Sequence, residues 1–414
     1  MRRSRTLIEA TVLILLATSA ASAQHRQHVA KLDGPTFEVR SNKGVVTIPF
    51  EIDTNHVIIP IEVRGNRFRV ILDTGMPMSG LMLYGTELVE NLGLEYSSER
   101  VRVGGAGGKG KHLEARLAHG VTVDIEDVQM RNASVIVMPP LHHFHASHDG
   151  VIGYSLFKNF VVRVDYDKSV VELHDPDTFS APESSTVVPL RFNTNFPYAD
   201  IEVKMNDGKK LPLTVVVDMG ASHAISLNVV DGGKITVPDD SIRTIIGKGV
   251  GGNLVGQVGR VRSLELGGVT LNDVVATFPD ERHQRPGGME AQNGNLGNGL
   301  LRRFNVTFDY SRKAMLLEPN RWFDDRFEWD MSGMRLEPAE GSGLRIDALV
   351  ADSPAVKAGL AIDDVVTHID GEPVSKDDLR RLREMMEHEG AVVRVTATRD
   401  GRTLEAKLKL RRLV

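Results

Sequence analysis

The stretch that decides the predicted fold is Val70–Ser79, which reads Val-Ile-Leu-Asp-Thr-Gly-Met-Pro-Met-Ser. An apolar strand ends there in Asp73-Thr74-Gly75 and is broken by Pro77, which leaves a carboxylate at the mouth of a turn. Glycine at the third position lets the backbone of that turn come close to another group, because it has no Cβ. On its own, the tripeptide also fits an ordinary turn after a strand.

The chain repeats this stretch. Residues Thr214–Ser222 read Thr-Val-Val-Val-Asp-Met-Gly-Ala-Ser, and their aspartate, Asp218, stands 145 residues after the first one. The segments 153–166 and 297–310, which both run from a glycine to Asp-Tyr, also align without a gap at an offset of 144 residues. Because unrelated turns would not keep a common offset over so long a span, the sequence predicts a duplicated lobe.

Together, these repeated residues resemble the retropepsin-like and pepsin-like aspartic proteases over about residues 46 to 318. The resemblance implies one β lobe for each copy and hydrolysis of an extended peptide or unfolded protein substrate. It implies neither a metal nor another cofactor. The implied catalytic residues are Asp73 and Asp218, and the implied supports of the active-site turns are Thr74, Gly75, Met219 and Gly220.

The chemistry of such a pair follows from electrostatics. Two carboxylates forced to within about 3 Å of each other cannot both ionise, so the pair holds one proton and can act as both base and acid. Family members have Thr or Ser after each aspartate, and its hydroxyl braces the opposite turn. Met219 cannot do so, which leaves two functions open: an aspartic endopeptidase, or a non-catalytic peptide-binding protein with a degenerate site.

The position three residues after each aspartate carries a smaller inference about pH. Met76 and Ala221 have no hydroxyl there, whereas pepsin-like relatives have Ser. With fewer donors, the pair should be harder to ionise. The sequence therefore predicts activity at mildly acidic rather than strongly acidic pH.

Each copy also has a glycine-rich segment about thirty residues after its aspartate. Both segments are predicted to be flaps, hairpins that close over an extended peptide and exclude water. The first also satisfies the dinucleotide-binding fingerprint, but it lacks the alternating strand and helix of that site. The predicted flap glycines are Gly104, Gly105, Gly107 and Gly108 in the first lobe, and Gly249, Gly251 and Gly252 in the second.

The composition fits two or three compact domains: 414 residues, of which 41% are hydrophobic, with no cysteine. The formal charge of −5 is mild and argues against nucleic acid as a partner. Many short strands, rich in β-branched residues, predict a mainly β chain. The resemblance above implies that this chain contains two duplicated acid-protease-like β lobes, which are followed by a small α+β domain. The first lobe is predicted over 44–178 and the second over 186–319.

The N-terminus has the pattern of a secretory signal. An arginine-rich start precedes an apolar run, Ala10–Ala17, and the small residues Ala21-Ser22-Ala23. The sequence predicts a signal peptide over 1–23 and export to the bacterial periplasm, which suits a chain without cysteine. The run is short for a membrane span, although an uncleaved anchor is the alternative. Removal of a propeptide over 24–43 is open.

Residues 332–414 resemble a bacterial-type PDZ domain, through Gly341–Val350, Ser353-Pro-Ala and a predicted helix over Lys376–His388. The resemblance implies that a C-terminal or extended peptide adds as a strand beside Leu344–Leu349 and that a Gly-rich turn binds its carboxylate. The alternative is a PDZ domain that only docks on its neighbour. The predicted peptide-binding residues are Gly343, Leu344, Arg345 and Ile346.

Two further clusters are interpreted as structural. Glu318–Met331 holds both tryptophans and is predicted to be a linker packed on a lobe, with an aromatic ligand patch as the alternative. The histidine-rich loop is predicted to be solvated rather than to bind a metal, since the second copy has no equivalent. Its histidines are His142, His143, His145 and His148.

Overall fold

The computed structural model describes residues 34–40, 44–104, 113–140, 148–229, 233–249, 251–280 and 293–414. The predicted signal peptide lies outside these residues, as do Gly105, Gly107 and Gly108 of the first flap and His142, His143 and His145. Strands dominate the described part, which confirms the predicted mainly β fold. None of the helices in those ranges is long and apolar enough to cross a membrane.

The described residues of the first lobe form twelve strands and two short helices. They are β1 (Thr36–Val39), β2 (Val45–Pro49), β3 (Glu51–Asp53), β4 (His56–Val63), β5 (Asn66–Leu72), β6 (Leu81–Leu83), α1 (Glu87–Glu90), β7 (Tyr96–Val103), β8 (Leu113–Ile125), β9 (Val128–Val137), β10 (Gly150–Ile152), α2 (Tyr154–Asn159), β11 (Val161–Asp165) and β12 (Val170–His174). One sheet runs β3-β4-β5-β10-β6-β9-β8-β7, with β1 added beside β9 and a further pairing of β4 with β8.

The second lobe repeats that arrangement. Its elements are β13 (Thr186–Pro189), β14 (Arg191–Asn193), β15 (Phe196–Lys204), β16 (Lys210–Asp218), β17 (Ile225–Leu227), β18 (Ile242–Gly249), β19 (Gly252–Leu266), β20 (Val269–Pro279), β21 (Gly294–Gly297), α3 (Asn298–Leu301), β22 (Phe304–Asp309) and β23 (Ala314–Pro319). The sheet order β14-β15-β16-β21-β17-β20-β19-β18, with β15 also paired to β19, is the order of the first lobe strand for strand. The duplication predicted from the sequence is therefore present in the fold.

A six-stranded sheet joins the lobes. Its order is β13-β23-β22-β11-β12-β2, so each lobe supplies three strands. At its centre β11 and β22 pair antiparallel, with Val162 opposite Phe308. Phe157 packs edge-on against Phe308, with ring centroids 5.3 Å apart, and both rings are fully buried. Both rings belong to one core that the lobes share across this sheet. Burying a side chain of this size contributes roughly 2 to 3 kcal/mol.

The C-terminal domain has its own core, which includes Leu344, Ile346, Val366 and Leu382. Its sheet runs β24-β25-β26-β28-β29, with β27 beside β26. The elements are β24 (Met334–Pro338), β25 (Leu344–Leu349), α4 (Pro354–Lys357), β26 (Val365–Ile369), β27 (Glu372–Pro373), a 3₁₀ turn (Lys376–Asp378), α5 (Leu379–Met385), β28 (Val392–Arg399) and β29 (Arg402–Lys409).

The predicted peptide-binding strand is wrong in its position. Leu344–Leu349 lies inside the sheet as β25: it pairs with β24 on one side, and Leu344 and Arg345 pair with β26 on the other. The backbone of Ile346 also bonds Asp363 and Asp364. Gly343, Leu344, Arg345 and Ile346 therefore offer no free edge to a peptide, because their backbone groups already bond neighbouring strands. On this side of the sheet the edge strand is β24, while β29 ends the sheet on the other side.

The segment between the second lobe and the C-terminal domain packs against the lobes, as predicted. Trp322, Phe323 and Trp329 lie against their shared core. Phe327 is buried, and the Arg303 guanidinium stacks 3.6 Å above the centre of its ring. This contact is a cation–π interaction, and it helps to fix the linker on the second lobe.

Candidate active site

The two repeated turns follow equivalent strands. Asp73 comes directly after β5, which pairs in parallel with β10, and Asp218 ends β16, which pairs in parallel with β21. Both strands are almost fully buried as they approach the turn, which explains their unbroken apolar sequence. Each aspartate therefore lies where a buried strand leaves the interior of its sheet.

The structure brings the two carboxyl groups into one site. A Cβ atom added to Gly75 would lie 2.3 Å from Oδ1 of Asp218, and one added to Gly220 would lie 2.3 Å from Cγ of Asp73. Each glycine thus faces the carboxyl group of the opposite turn. The Gly220 N–H also donates to both carboxylates, at 3.0 Å to Asp73 Oδ1 and 3.1 Å to Asp218 Oδ1. One shared donor requires the two inner oxygens to lie side by side.

Thr74 braces the site from the first lobe only. Its buried hydroxyl donates to Val217 O at 2.8 Å and accepts the Met219 N–H at 2.9 Å, so it spans the boundary between the lobes. Met219 has no hydroxyl to return the contact and is instead fully buried in the core. The turns share a backbone arrangement, but one of the two side-chain braces expected from the family is replaced by apolar packing.

A second pair of braces was missed by the sequence analysis. Asn55 Nδ2 donates to Ser222 O at 2.8 Å, and Asn195 Nδ2 donates to Pro77 O at 2.9 Å. Each asparagine sits at a hairpin turn with positive φ, 65° for Asn55 and 69° for Asn195, and reaches the active-site turn of the other lobe. The repeated Thr-Asn pair, 140 residues apart, was the signal that could have revealed this symmetry.

Asn295 was also missed. It lies on β21 beside the Asp218 turn, is only 5% exposed, and donates through Nδ2 to Asp218 Oδ2 at 2.7 Å. In pepsin-like relatives such a donor stands three residues after each aspartate, where this chain has Met76 and Ala221. The expectation of fewer donors is thus wrong for Asp218, because a residue far along the chain supplies one.

Three polar rings, those of Tyr84, Tyr310 and His56, interact with the charges of the pair, and His148 packs beside Tyr84 and His56. Burial, reinforced by the charge of Asp73, raises the pKa of both Tyr84 and Tyr310. Burial lowers the pKa of His56, which also bonds the Gly220 backbone, and it lowers the pKa of His148 to about 3. At mildly acidic pH, these conditions favour the uncharged form of all four rings.

His148 also departs from the predicted solvated loop. Its ring lies 5.5 Å from that of Tyr84 and 6.0 Å from that of His56, measured between centroids, and its Nε2 is 3.3 Å from the Tyr84 hydroxyl. Within the described residues no group of three potential ligands forms a metal site.

The glycine-rich segments lie at the ends of antiparallel strand pairs. In the second lobe, Gly249 and Gly252 face each other as the last pair of β18 and β19, and Gly251 lies in the connecting turn. In the first lobe, Gly104 directly follows β7, which pairs with β8. The second-lobe segment is therefore a hairpin, whereas the rest of the first flap lies outside the described residues. Closure of either flap over a peptide stays a prediction.

Comparison with known families agrees with this geometry. The family model described as aspartyl protease matches residues 59–156 and 201–301, one segment in each lobe. The model described as PDZ domain matches residues 332–410. No curated protein sequence matches the chain significantly. Both matches confirm the resemblances recognised in the sequence.

Proposed function

We propose that this chain, which carries an aspartyl protease domain in two segments followed by a PDZ domain, is an aspartic endopeptidase that acts after export. The observation that carries the proposal is the single Gly220 amide that donates to both Asp73 and Asp218. Two carboxyl groups held this close share one proton, which gives a base and an acid in one site.

The proposed reaction needs only these two groups and water. The ionised carboxylate takes a proton from water while the resulting hydroxide attacks the carbonyl carbon of the peptide. The protonated carboxyl group gives its proton to the carbonyl oxygen, which yields a neutral gem-diol. As the C–N bond breaks, the first carboxyl group returns its proton to the leaving nitrogen, and the second takes one back from the diol. The pair ends in its starting state.

The test is hydrolysis of casein across a range of pH by the mature protein, with Asp73→Asn, Asp218→Asn and pepstatin as separate arms. We expect both variants and the inhibitor to abolish cleavage while circular dichroism stays unchanged. Unchanged cleavage by either variant would remove the mechanism. No cleavage by the wild type on any substrate would favour the alternative, a peptide-binding protein whose second lobe lost its brace at Met219.

The PDZ domain is proposed to gate this site. Helix α5 contacts the first-lobe hairpin that holds the Asp218 turn: Arg383 Nη1 donates to Thr54 Oγ1 at 2.7 Å, and Arg380 Nη1 donates to Ile52 O at 3.2 Å. The next residue of that hairpin, Asn55, is the one that bonds Ser222 O. A movement of α5 would therefore act on the turn through one short β-hairpin.

A second contact supports gating. Lys248, near the tip of the second-lobe hairpin, forms a 2.8 Å ion pair with Glu337 on the edge strand β24, and both side chains are less than one-fifth exposed. Peptide addition to β24 would compete with this contact. We expect Lys248→Met to change kcat/KM for protein substrates at least twofold, whereas Lys210→Met, which breaks an exposed pair with Glu202, should not. Equal kinetics for the two variants would contradict gating through β24.

A further inference from the structure

The two halves of the active site differ at one buried position. Strand β10 and its following residue read Gly-Val-Ile-Gly over 150–153, and β21 reads Gly-Asn-Leu-Gly over 294–297. Val151 and Asn295 thus occupy equivalent places on the strands that flank the aspartate-bearing strands. Val151 is an apolar core residue, whereas Asn295 directs its side-chain N–H at Asp218.

The asparagine is costly at this position. Among the described residues, Asn295 Oδ1 is buried and has no hydrogen-bond partner. A buried polar atom left unpaired costs about 1 to 3 kcal/mol, and a valine of the first-lobe type would avoid that cost. Within the part of the chain that the structure describes, the Asn295 side chain takes part in one hydrogen bond, its donation to Asp218 Oδ2.

That bond distinguishes the two aspartates. Asp218 accepts N–H donors on both oxygens, from Gly220 on Oδ1 and from Asn295 on Oδ2. Asp73 accepts the N–H groups of Gly75 at 2.5 Å and Gly220 at 3.0 Å on Oδ1. Val151, the first-lobe equivalent of Asn295, has no side-chain N–H to donate to it. Since an amide N–H can donate but not accept, a proton on Asp218 Oδ2 would oppose the donor of Asn295.

The other titratable groups around Asp218 do not reverse its preference for the ionised form. Asp73 is its partner in the pair, and His56 and Tyr310 interact with its charge from the neighbouring elements. Both rings are favoured in their neutral forms by burial. His223 lies in the same turn, and its Nε2 is 3.2 Å from the backbone oxygen of Asn295. Burial of Asp218 itself favours its protonated form, so a fixed donor is needed to keep it charged.

We propose that Asn295 is a positioning residue that keeps Asp218 ionised, so that Asp218 is the base toward water and Asp73 carries the shared proton. The assignment of base and acid depends on the proposed proteolytic function. The ionisation of Asp218 does not, because it is a property of the resting protein.

The experiment uses the full mature chain with ¹³C-labelled aspartate carboxyl groups. Asp218→Asn and Asp73→Asn assign the two signals, and both are followed from pH 3 to 8. In the wild type, Asp218 should remain ionised at lower pH than Asp73. In Asn295→Leu, which keeps the branched shape of the side chain but removes the donor, the Asp218 signal should titrate about one pH unit higher, a tenfold change in proton affinity.

Two controls keep the result interpretable. Asn295→Val copies the first lobe and is the second variant if leucine does not fold. Ser226→Ala removes a buried hydroxyl opposite Asn295 in the strand register, and it should leave both signals unchanged. The acid limb of the kcat/KM profile should move upward with the Asp218 signal in the Asn295 variants only.

The outcomes separate the two proposals. If Asp73 is the carboxyl group that stays ionised at lower pH in the wild type, or if the Asn295 variants leave the Asp218 titration unchanged, the role of Asn295 is refuted whether or not the protein cleaves peptides. If the titration moves as expected while no substrate is hydrolysed, the role of Asn295 holds and the proteolytic function fails.

Discussion

Replacing Thr74 with valine tests whether one hydroxyl holds the two lobes in register at the active site. The substitution keeps the shape of the side chain and removes an oxygen that both donates to Val217 O and accepts the Met219 N–H. Since Met219 offers no reciprocal brace, the other side of the site has no matching hydroxyl to compensate.

The expected magnitude follows from the two bonds. Each contributes about 1 kcal/mol net, and leaving a buried N–H without its acceptor adds part of a desolvation cost of about 1 to 3 kcal/mol. Thr74→Val should therefore lower the free energy of unfolding by about 2 to 4 kcal/mol. A turn displaced by a few tenths of an ångström to 1 Å should also lower kcat by up to roughly a hundredfold.

Urea denaturation measures the first quantity, and casein or peptide hydrolysis measures the second. Thr74→Ser is the matched control, because it keeps the hydroxyl and should retain both bonds. If Thr74→Val differs from wild type by less than about 0.5 kcal/mol, the proposed brace is not holding the lobes.

Three further predictions concern the same site and its surroundings. Gly220→Ala would place a Cβ 2.3 Å from Cγ of Asp73, so kcat should fall at least roughly a hundredfold with secondary structure retained by circular dichroism; near-normal activity would contradict the close approach. Asn55→Ala removes the donor to Ser222 O, and urea titration should show a loss of about 1 kcal/mol; no loss would mean that this contact is not a brace. Burial raises the pKa of Asp330 to about 6, so its protonated form favours the folded state and the free energy of unfolding should decrease as pH rises from about 4 to 6. Asp330→Asn should flatten that slope in denaturation series at several pH values, and an unchanged slope would show that this carboxyl group is not responsible.

The sequence predicted the duplicated architecture because the repeat carries both strand pattern and spacing. Asp73 and Asp218 end equivalent strands, and equivalent strands in a duplicated fold end at the shared boundary. The glycines of the turns were predicted for the same reason. Local pattern and common offset were enough for these features, and the structure brings their residues together.

Some residues were not predicted to belong to a site, and others were predicted in the wrong environment. Their positions depend on contacts with neighbouring strands, which the sequence pattern of a single strand does not specify. Asn295 reaches Asp218 because β21 pairs with β16 in a particular register, and nothing in the sequence of β21 alone states that pairing. The edge position of β24 depends on strand order, which made Leu344 look available to a peptide when it is interior. His148 is enclosed by Tyr84 and His56, which come from distant parts of the chain.

The sheet shared by the lobes restricts how far they can move apart. Backbone hydrogen bonds join β11 directly to β22. The two lobes therefore cannot separate without breaking this strand pair, in which Val162 lies opposite Phe308. We expect access for a substrate to depend instead on parts outside this sheet, such as the second-lobe hairpin that ends at Gly249 and Gly252 and the C-terminal domain that Lys248 contacts.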